Sequence, residues 1–185
     1  MAGLLKRHGI PLVDTDELAR ALVEPGQPAL AEIRAAFGGT VFDGDGQLRR
    51  AALAERVFSD PEARRLLEAI LHPRIHAAWN DQVASWHVDR LPLGVVVIPL
   101  LFEKGLETRF DLTICVACGP SSQWDRLRAR GWTEVEIQRR LDAQLPLAEK
   151  MRRADRVIWN EGDLASMEEQ ARRILTPEGW SARVE

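Results

Sequence analysis

Two short segments, Gly94–Leu100 (Gly-Val-Val-Val-Ile-Pro-Leu) and Leu112–Val116 (Leu-Thr-Ile-Cys-Val), are apolar almost from end to end. A strand with one wet face alternates apolar and polar residues. Runs like these instead predict strands covered on both faces, as in a parallel sheet packed between helices. Ile10–Val13 and Arg156–Trp159 are two further short apolar segments that read as strands. Helical patterns separate all four, so the sequence predicts an α/β fold with a mostly parallel sheet.

Between the first and second strands lies a long helical insertion. Pro25-Gly26-Gln27-Pro28 interrupts the chain, Pro28 suits the first turn of a helix over Ala29–Phe37, and Gly38-Gly39 ends it. Asp43-Gly44-Asp45-Gly46 reads as a turn, because the oxygen ligands and closing Glu of a calcium loop do not follow it. Ser59-Asp60-Pro61-Glu62 offers a capping box and a first-turn proline for a helix over Glu62–Leu71. His72-Pro73 is expected to break that helix, with another from Arg74 to Trp86. Beyond the third strand, Ser121–Gly131 predicts a capped helix ending in glycine, followed by a second over Thr133–Gln144.

With 45% hydrophobic and 29% charged residues the composition is that of a globular protein, and 185 residues suffice for a buried core. A formal net charge of −3 gives no global attraction to nucleic acid. No apolar run approaches the roughly 20 residues that span a bilayer. Residues 1–9 lack the apolar centre of a secretory signal, so no membrane partner and a cytoplasmic address are expected. Cys115 and Cys118 have C-x-x-C spacing, but side chains three apart on a strand point to opposite faces. No further Cys or His lies close by, and they read as core thiols rather than a redox or zinc pair.

Several residue groups carry possible chemistry, each with a plainer alternative. Asp14 and Asp16 stand at the end of the first strand. If the strand persists to Asp16, both carboxylates share a face at the strand's carboxyl end, where α/β sheets bind ligands. There a carboxylate can take a hydroxyl proton or position magnesium; equally, one of the pair can simply N-cap the following helix. Glu103 closes Pro99-Leu100-Leu101-Phe102-Glu103 and reads either as a group facing a metal or sugar hydroxyl or as a surface acid. His72 and His76 share a helical face without the pattern of a metal site, so no protein metal site is assigned. An anion-binding role for His72 with Arg74 near a helix N-terminus is the better reading. Arg126, Arg128, Arg130, Arg139 and Arg140 crowd the helical hairpin. They form either a solvated face or a lid that closes over a polyphosphate. Asn160-Glu161-Gly162-Asp163 follows the last strand, where Asn160 suits an adenine edge and turn chemistry alone also explains Asn and Gly.

Taken together these segments resemble the dephospho-CoA kinase family. Gly9-Ile10-Pro11-Leu12-Val13-Asp14-Thr15-Asp16-Glu17-Leu18-Ala19-Arg20 resembles its G-x-x-V-I-D-A-D-x-x-A-R segment. Leu71-His72-Pro73-Arg74-Ile75 is similar to its L-H-P-x-I motif and Pro99–Glu103 to its P-L-L-F-E. Arg140-Leu141-Asp142-Ala143-Gln144 with Lys150 is similar to R-I-x-x-Q followed by K, and Ala154–Leu164 to A-D-x-V-I-x-N-x-G-x-L. The resemblance runs in order from Met1 to about Leu175.

The resemblance implies a P-loop NTPase-like three-layer fold with a mostly parallel sheet, an inserted helical CoA-binding lobe and a helical lid. Residues 1–23, 91–120 and 151–185 would form the nucleotide-binding core, 24–90 the acceptor lobe and 121–150 the lid. The implied activity is ATP-dependent phosphorylation of the ribose 3′-hydroxyl of dephospho-CoA, with Mg²⁺ and ATP. By it, Asp16 is the base with Asp14 beside it, and Arg140, Arg126 and Arg130 face the ATP phosphates. His72, Arg74, Leu101, Phe102 and Glu103 hold the acceptor, while Asn160 and Gly162 sit by adenine. Phosphoryl transfer depends on positioning and charge neutralisation, which suits these residue types.

One family feature is missing. No G-x-x-x-x-G-K-(S/T) occurs in the 185 residues, and Met1–Gly9 aligns just past where that loop would end. The loop's N–H groups and lysine cradle phosphate and its hydroxyl binds Mg²⁺. The chain as written is therefore expected to be a poor kinase of marginal stability, and a start codon assigned too far downstream is the simplest explanation. Two other functions fit less well: another P-loop nucleoside or nucleotide kinase, and a non-catalytic relic that binds CoA-like ligands or a partner protein.

Overall fold

The computed structural model describes residues 1–175, so residues 176–185 of the expected core segment lie outside the described residues. Its elements in chain order are α1 (Ala2–Arg7), β1 (Leu12–Asp14), α2 (Thr15–Ala21), α3 (Pro28–Phe37), α4 (Arg50–Ser59), α5 (Pro61–Val88) and β2 (Val95–Val97). Then follow β3 (Ile114–Ala117), α6 (Pro120–Ala129), α7 (Glu134–Asp142), α8 (Leu147–Arg153), β4 (Arg156–Trp159) and α9 (Leu164–Ile174). The chain divides into two compact units: Pro11–Ile98, and Met1–Ile10 with the described residues from Pro99 onward.

In the Pro11–Ile98 unit, β1 and β2 pair in parallel with Leu12 opposite Val95 and Asp14 opposite Val97. Val23, Ala29, Ile33, Val41, Phe42, Leu53 and Ile70 form the core on which α3, α4 and α5 converge. The Asp43–Gly46 turn closes a tight hairpin: Asp43 Oδ1 accepts from the amides of Asp45 and Gln47, and Phe42 bridges Leu48.

Two expectations about α5 are corrected. Asp60, not Ser59, is its N-cap, with Oδ1 accepting from Glu62 N and Ala63 N, while the Ser59 hydroxyl donates back to Glu55 O and Arg56 O. The helix also does not break at His72-Pro73 but runs unbroken for 28 residues. An interior proline costs about 3 kcal/mol. Burial on both sides of it offsets that cost: Ala63 and Ile70 precede Pro73, and Trp79 and Trp86 follow it. Arg74 Nη1 donates to Ile70 O at 2.7 Å, an added side-chain bond in the turn beside the proline. At the far end Leu91 N reaches Trp86 O and Arg90 N reaches His87 O, a Schellman ending that places Arg90 at φ 53°.

In the other unit β3 and β4 pair in parallel, Ile114 opposite Arg156 through Ala117 opposite Trp159. Asp155 Oδ2 accepts from both the amide and hydroxyl of Thr113 at 2.7 Å and fastens the start of the pair. At its end the Gln170 side chain, on α9, accepts from Trp159 N at 2.9 Å and donates to Trp159 O at 3.0 Å. Met167 and Ala171 are the buried residues of α9, Leu175 is buried at its C-cap, and His8 Nε2 meets Glu168 Oε1 at 2.7 Å.

The apolar strands are not covered on both faces throughout. Cys115 and Ala117 are buried while Val116, between them, is 43% exposed, and Val95–Val97 are half-buried. Hydrophobicity alone did not reveal this, because β-branched residues favour a strand whether or not both faces are packed. Cys115 is buried and Cys118 half-buried beyond the strand end, both as free thiols. Burial pushes the Cys115 thiol up, against the opposing charge of Lys150.

Candidate active site

Asp14 ends β1 and caps α2. Its Oδ1 accepts from Asp16 N at 2.9 Å and Glu17 N at 3.4 Å. The strand therefore stops before Asp16, which sits in the first turn of α2 and faces solvent, so the pair does not share a strand face. Thr15 Oγ1 donates to Val97 O at 3.1 Å and ties the start of α2 to the end of β2.

His72 and Arg74 lie in the middle of α5. The expected helix N-terminus beside them does not exist, because α5 begins at Pro61. Arg74 instead pairs closely with Glu32 of α3. The His76 ring lies 5.7 Å from the Trp79 ring, and no group of three His, Cys, Asp or Glu among the described residues is placed to hold a metal.

In the other unit, the turn after β2 and the end of the helical hairpin come together. Glu103 Oε1 accepts from Leu145 N at 2.9 Å and meets Lys150 Nζ at 2.8 Å, and Lys150 Nζ also donates to Gln144 Oε1 at 2.7 Å. The Glu103 and Lys150 side chains are 13% and 12% exposed. Burial pushes the Glu103 carboxyl up, but the Lys150 hydrogen bond, the Leu145 amide and the Lys150 charge together hold it below the usual glutamate range. One α8 turn on, Arg153 pairs closely with Glu107 and lies over Phe102, its guanidinium 5.3 Å from the ring centre. Phe102 is buried and Leu101 half-buried in a turn closed by Leu106 N donating to Leu101 O. These two ion pairs join segments that sequence spacing shows as separate motifs. The hint was a lone Lys at a fixed distance beyond Gln144.

The helical hairpin forms as expected. α6 ends in a Schellman turn with Gly131 at φ 83°, and Thr133 with Glu136 makes a capping box for α7. The Arg140 guanidinium stacks 4.1 Å from the centre of Trp132, and Arg128 pairs with Glu134 at 2.7 Å. Arg126 and Arg130 are exposed, at the last turn and the C-cap of α6. Asn160 N donates to Ala117 O at 2.7 Å and Gly162 packs on Ser166. Glu161 was not singled out from sequence, yet it joins the two loops at the carboxyl ends of β3 and β4. It accepts from the Gly119 amide and, at 2.5 Å, from the Ser122 hydroxyl, contacts that hold its carboxyl below the usual range.

A family model described as dephospho-CoA kinase matches residues 1–166. The chain belongs to the dephospho-CoA kinase family. A dephospho-CoA kinase of Anaeromyxobacter dehalogenans is 46% identical over 175 residues, covering 94% of this chain and 83% of that one. One from Gloeobacter violaceus is 43% identical over 174 residues, 93% and 82% of the two chains. A crystal structure from Thermus thermophilus, 38% identical, superposes with a TM-score of 0.79 over 94% of this chain and 86% of its own. A dephospho-CoA kinase structure from Campylobacter jejuni shares the fold, with a TM-score of 0.67 at 23% identity over 94% of this chain and 87% of its own. The dephospho-CoA kinase motifs thus rest on a mixed α/β scaffold whose strand pairs are parallel. No helix among the described residues is long and apolar enough to cross a membrane.

Proposed function

We propose that this chain acts as an ATP-dependent kinase on the ribose 3′-hydroxyl of dephospho-CoA, in the cytoplasm. Family membership over most of the chain carries the reading. The joining of Pro99–Glu103 to Gln144 and Lys150 supports it, since two of the family's motifs meet in one buried cluster.

In this reading residues 24–90 form the acceptor lobe and 121–150 the lid. Asp16 is the base that receives the 3′-hydroxyl proton. Asp14 suits the supporting role, because its Oδ1 is already engaged by two helix amides. His72, Arg74 and the backbone of the Leu101–Glu103 turn flank the acceptor, Arg74 exchanging Glu32 for an acceptor phosphate. Arg126, Arg130 and Arg140 neutralise the ATP phosphates, and the Trp132 ring already orients the Arg140 plane. Asn160 and Gly162 border adenine.

Mg²⁺ in such sites keeps one or two carboxylates and takes its remaining ligands from water and phosphate. The donor set fits that pattern: Asp14 and Asp16 are two neighbouring carboxylates where α2 begins, and the described residues build no protein cage of three. They would hold the ion, which neutralises phosphate charge when bound.

The test is transfer from labelled ATP to dephospho-CoA, nucleosides and nucleoside monophosphates by the 185-residue chain. Product on dephospho-CoA is expected, at a low rate because no G-x-x-x-x-G-K-(S/T) segment lies in it. Product on nucleosides and none on dephospho-CoA would overturn the acceptor assignment. Binding of dephospho-CoA without any transfer would remove the kinase assignment from this chain.

A further inference from the structure

The linker between α7 and α8 is three residues long once the Ala143 C-cap is set aside: Gln144, Leu145 and Pro146. Pro146 has no N–H, and Gln144 N is spent on Leu141 O. Leu145 N is the linker amide whose partner lies outside both helices, and Glu103 Oε1 receives it at 2.9 Å. The same oxygen meets Lys150 from the next helix, and Lys150 reaches back to the Gln144 side chain. Four groups therefore close a ring around the joint, with the charged members mostly buried. Glu103 Oε2 is buried with no hydrogen-bond partner among the described residues, so the contacts of its other oxygen weigh most in orienting the carboxylate.

We infer that Glu103 is a positioning residue that fixes the hinge of the arginine-bearing helical hairpin through Leu145 and Lys150, rather than a ligand of the acceptor. This rests on the proposed kinase reading, in which α6 and α7 form the lid. Arg140 lies in the last turn of α7, four residues before Gln144, so a shift at the hinge reaches its guanidinium through the end of that helix. A misplacement on the order of 1 Å costs phosphoryl transfer about a hundredfold. Lys150, by the same geometry, serves the hinge and not a phosphate: its side chain is only 12% exposed and its ammonium is already bonded to Glu103 and Gln144.

The test uses Glu103→Asp, which keeps the charge and withdraws it by one methylene, in the 185-residue chain. Exchange of the Leu145 amide should accelerate at least about tenfold, as when a charged hydrogen bond is lost, while the β3–β4 amides keep their protection. In the transfer assay kcat should fall with the KM for dephospho-CoA changed less than about twofold. Unchanged Leu145 exchange would overturn the proposal, as would a raised KM for dephospho-CoA at constant kcat, the mark of a direct acceptor contact. If Glu103→Asp does not fold, Gln144→Ala removes another member of the ring. It should accelerate Leu145 exchange in the same direction by a smaller factor, and no acceleration would again overturn the proposal. Absence of transfer by the unaltered chain would sink the kinase reading alone, because the exchange measurement reads the hinge without turnover.

Discussion

Replacing Lys150 by Met removes the ammonium 2.8 Å from Glu103 Oε1 and leaves a side chain of similar length in its place. Both side chains are nearly nine-tenths buried, so the carboxylate cannot recover full hydration when its partner goes. Breaking a buried pair from one side costs about 3–5 kcal/mol. The Leu145 amide still satisfies Oε1, which favours the lower end, about 3 kcal/mol. For a chain of this size each kcal/mol corresponds to roughly 2–4 °C, so the melting point should fall by roughly 6–12 °C.

Urea titration followed by tryptophan fluorescence measures the loss directly. The double variant Glu103→Gln with Lys150→Met should lose less than the sum of its singles, because no unpaired charge stays buried. The pH dependence follows from the same contacts. The folded Glu103 carboxyl is held below its ordinary value, so its stabilisation is present above that value and disappears as pH falls through the lower folded one. Without Lys150 the buried carboxylate protonates more readily, so the gap between wild type and Lys150→Met should narrow under acid conditions. A Lys150→Met chain within about 0.5 kcal/mol of wild type, or strictly additive singles, would refute the account.

Other positions give independent tests. Arg90→Gly should stabilise the chain by about 0.5–1 kcal/mol in urea titration, because φ 53° costs a non-glycine residue more than glycine's added unfolded entropy returns. Gly94→Ala should destabilise it by about 1–3 kcal/mol, since a Cβ there would lie 2.6 Å from Trp86 Cζ3 and 2.9 Å from Cδ2. Asp14→Ala should lose about 1 kcal/mol of stability through its cap. Asp16→Asn should leave stability nearly unchanged and lower kcat about a hundredfold or more, as read in the transfer assay.

Motif order carried the family, the placement of four strands and the ends of the α6–α7 hairpin, because capping residues and glycines act over a few positions. Thr133 with Glu136 and Gly131 are examples where local chemistry was enough. Pro73 is the opposite case. Its local preference for a break is outweighed by Trp79 and Ile70, whose burial depends on distant helices and leaves no mark near the proline. Asp14 showed both of its readings in sequence, and the end of β1 at that residue shows the cap, which leaves its second carboxylate oxygen for the other role. The Glu103–Lys150 contact spans 47 positions, and no periodicity reports a pairing across that distance.

The Gln170 amide does for Trp159 what one residue of an adjacent strand would do: it fills both the donor and the acceptor. An incoming chain therefore finds no vacant pair of hydrogen-bonding groups at the last residue of β4, although the Trp159 side chain is 43% exposed and apolar enough to attract one. A single glutamine on a helix thus satisfies one rung of the strand edge, the one beside the exposed tryptophan, that an added strand would otherwise use.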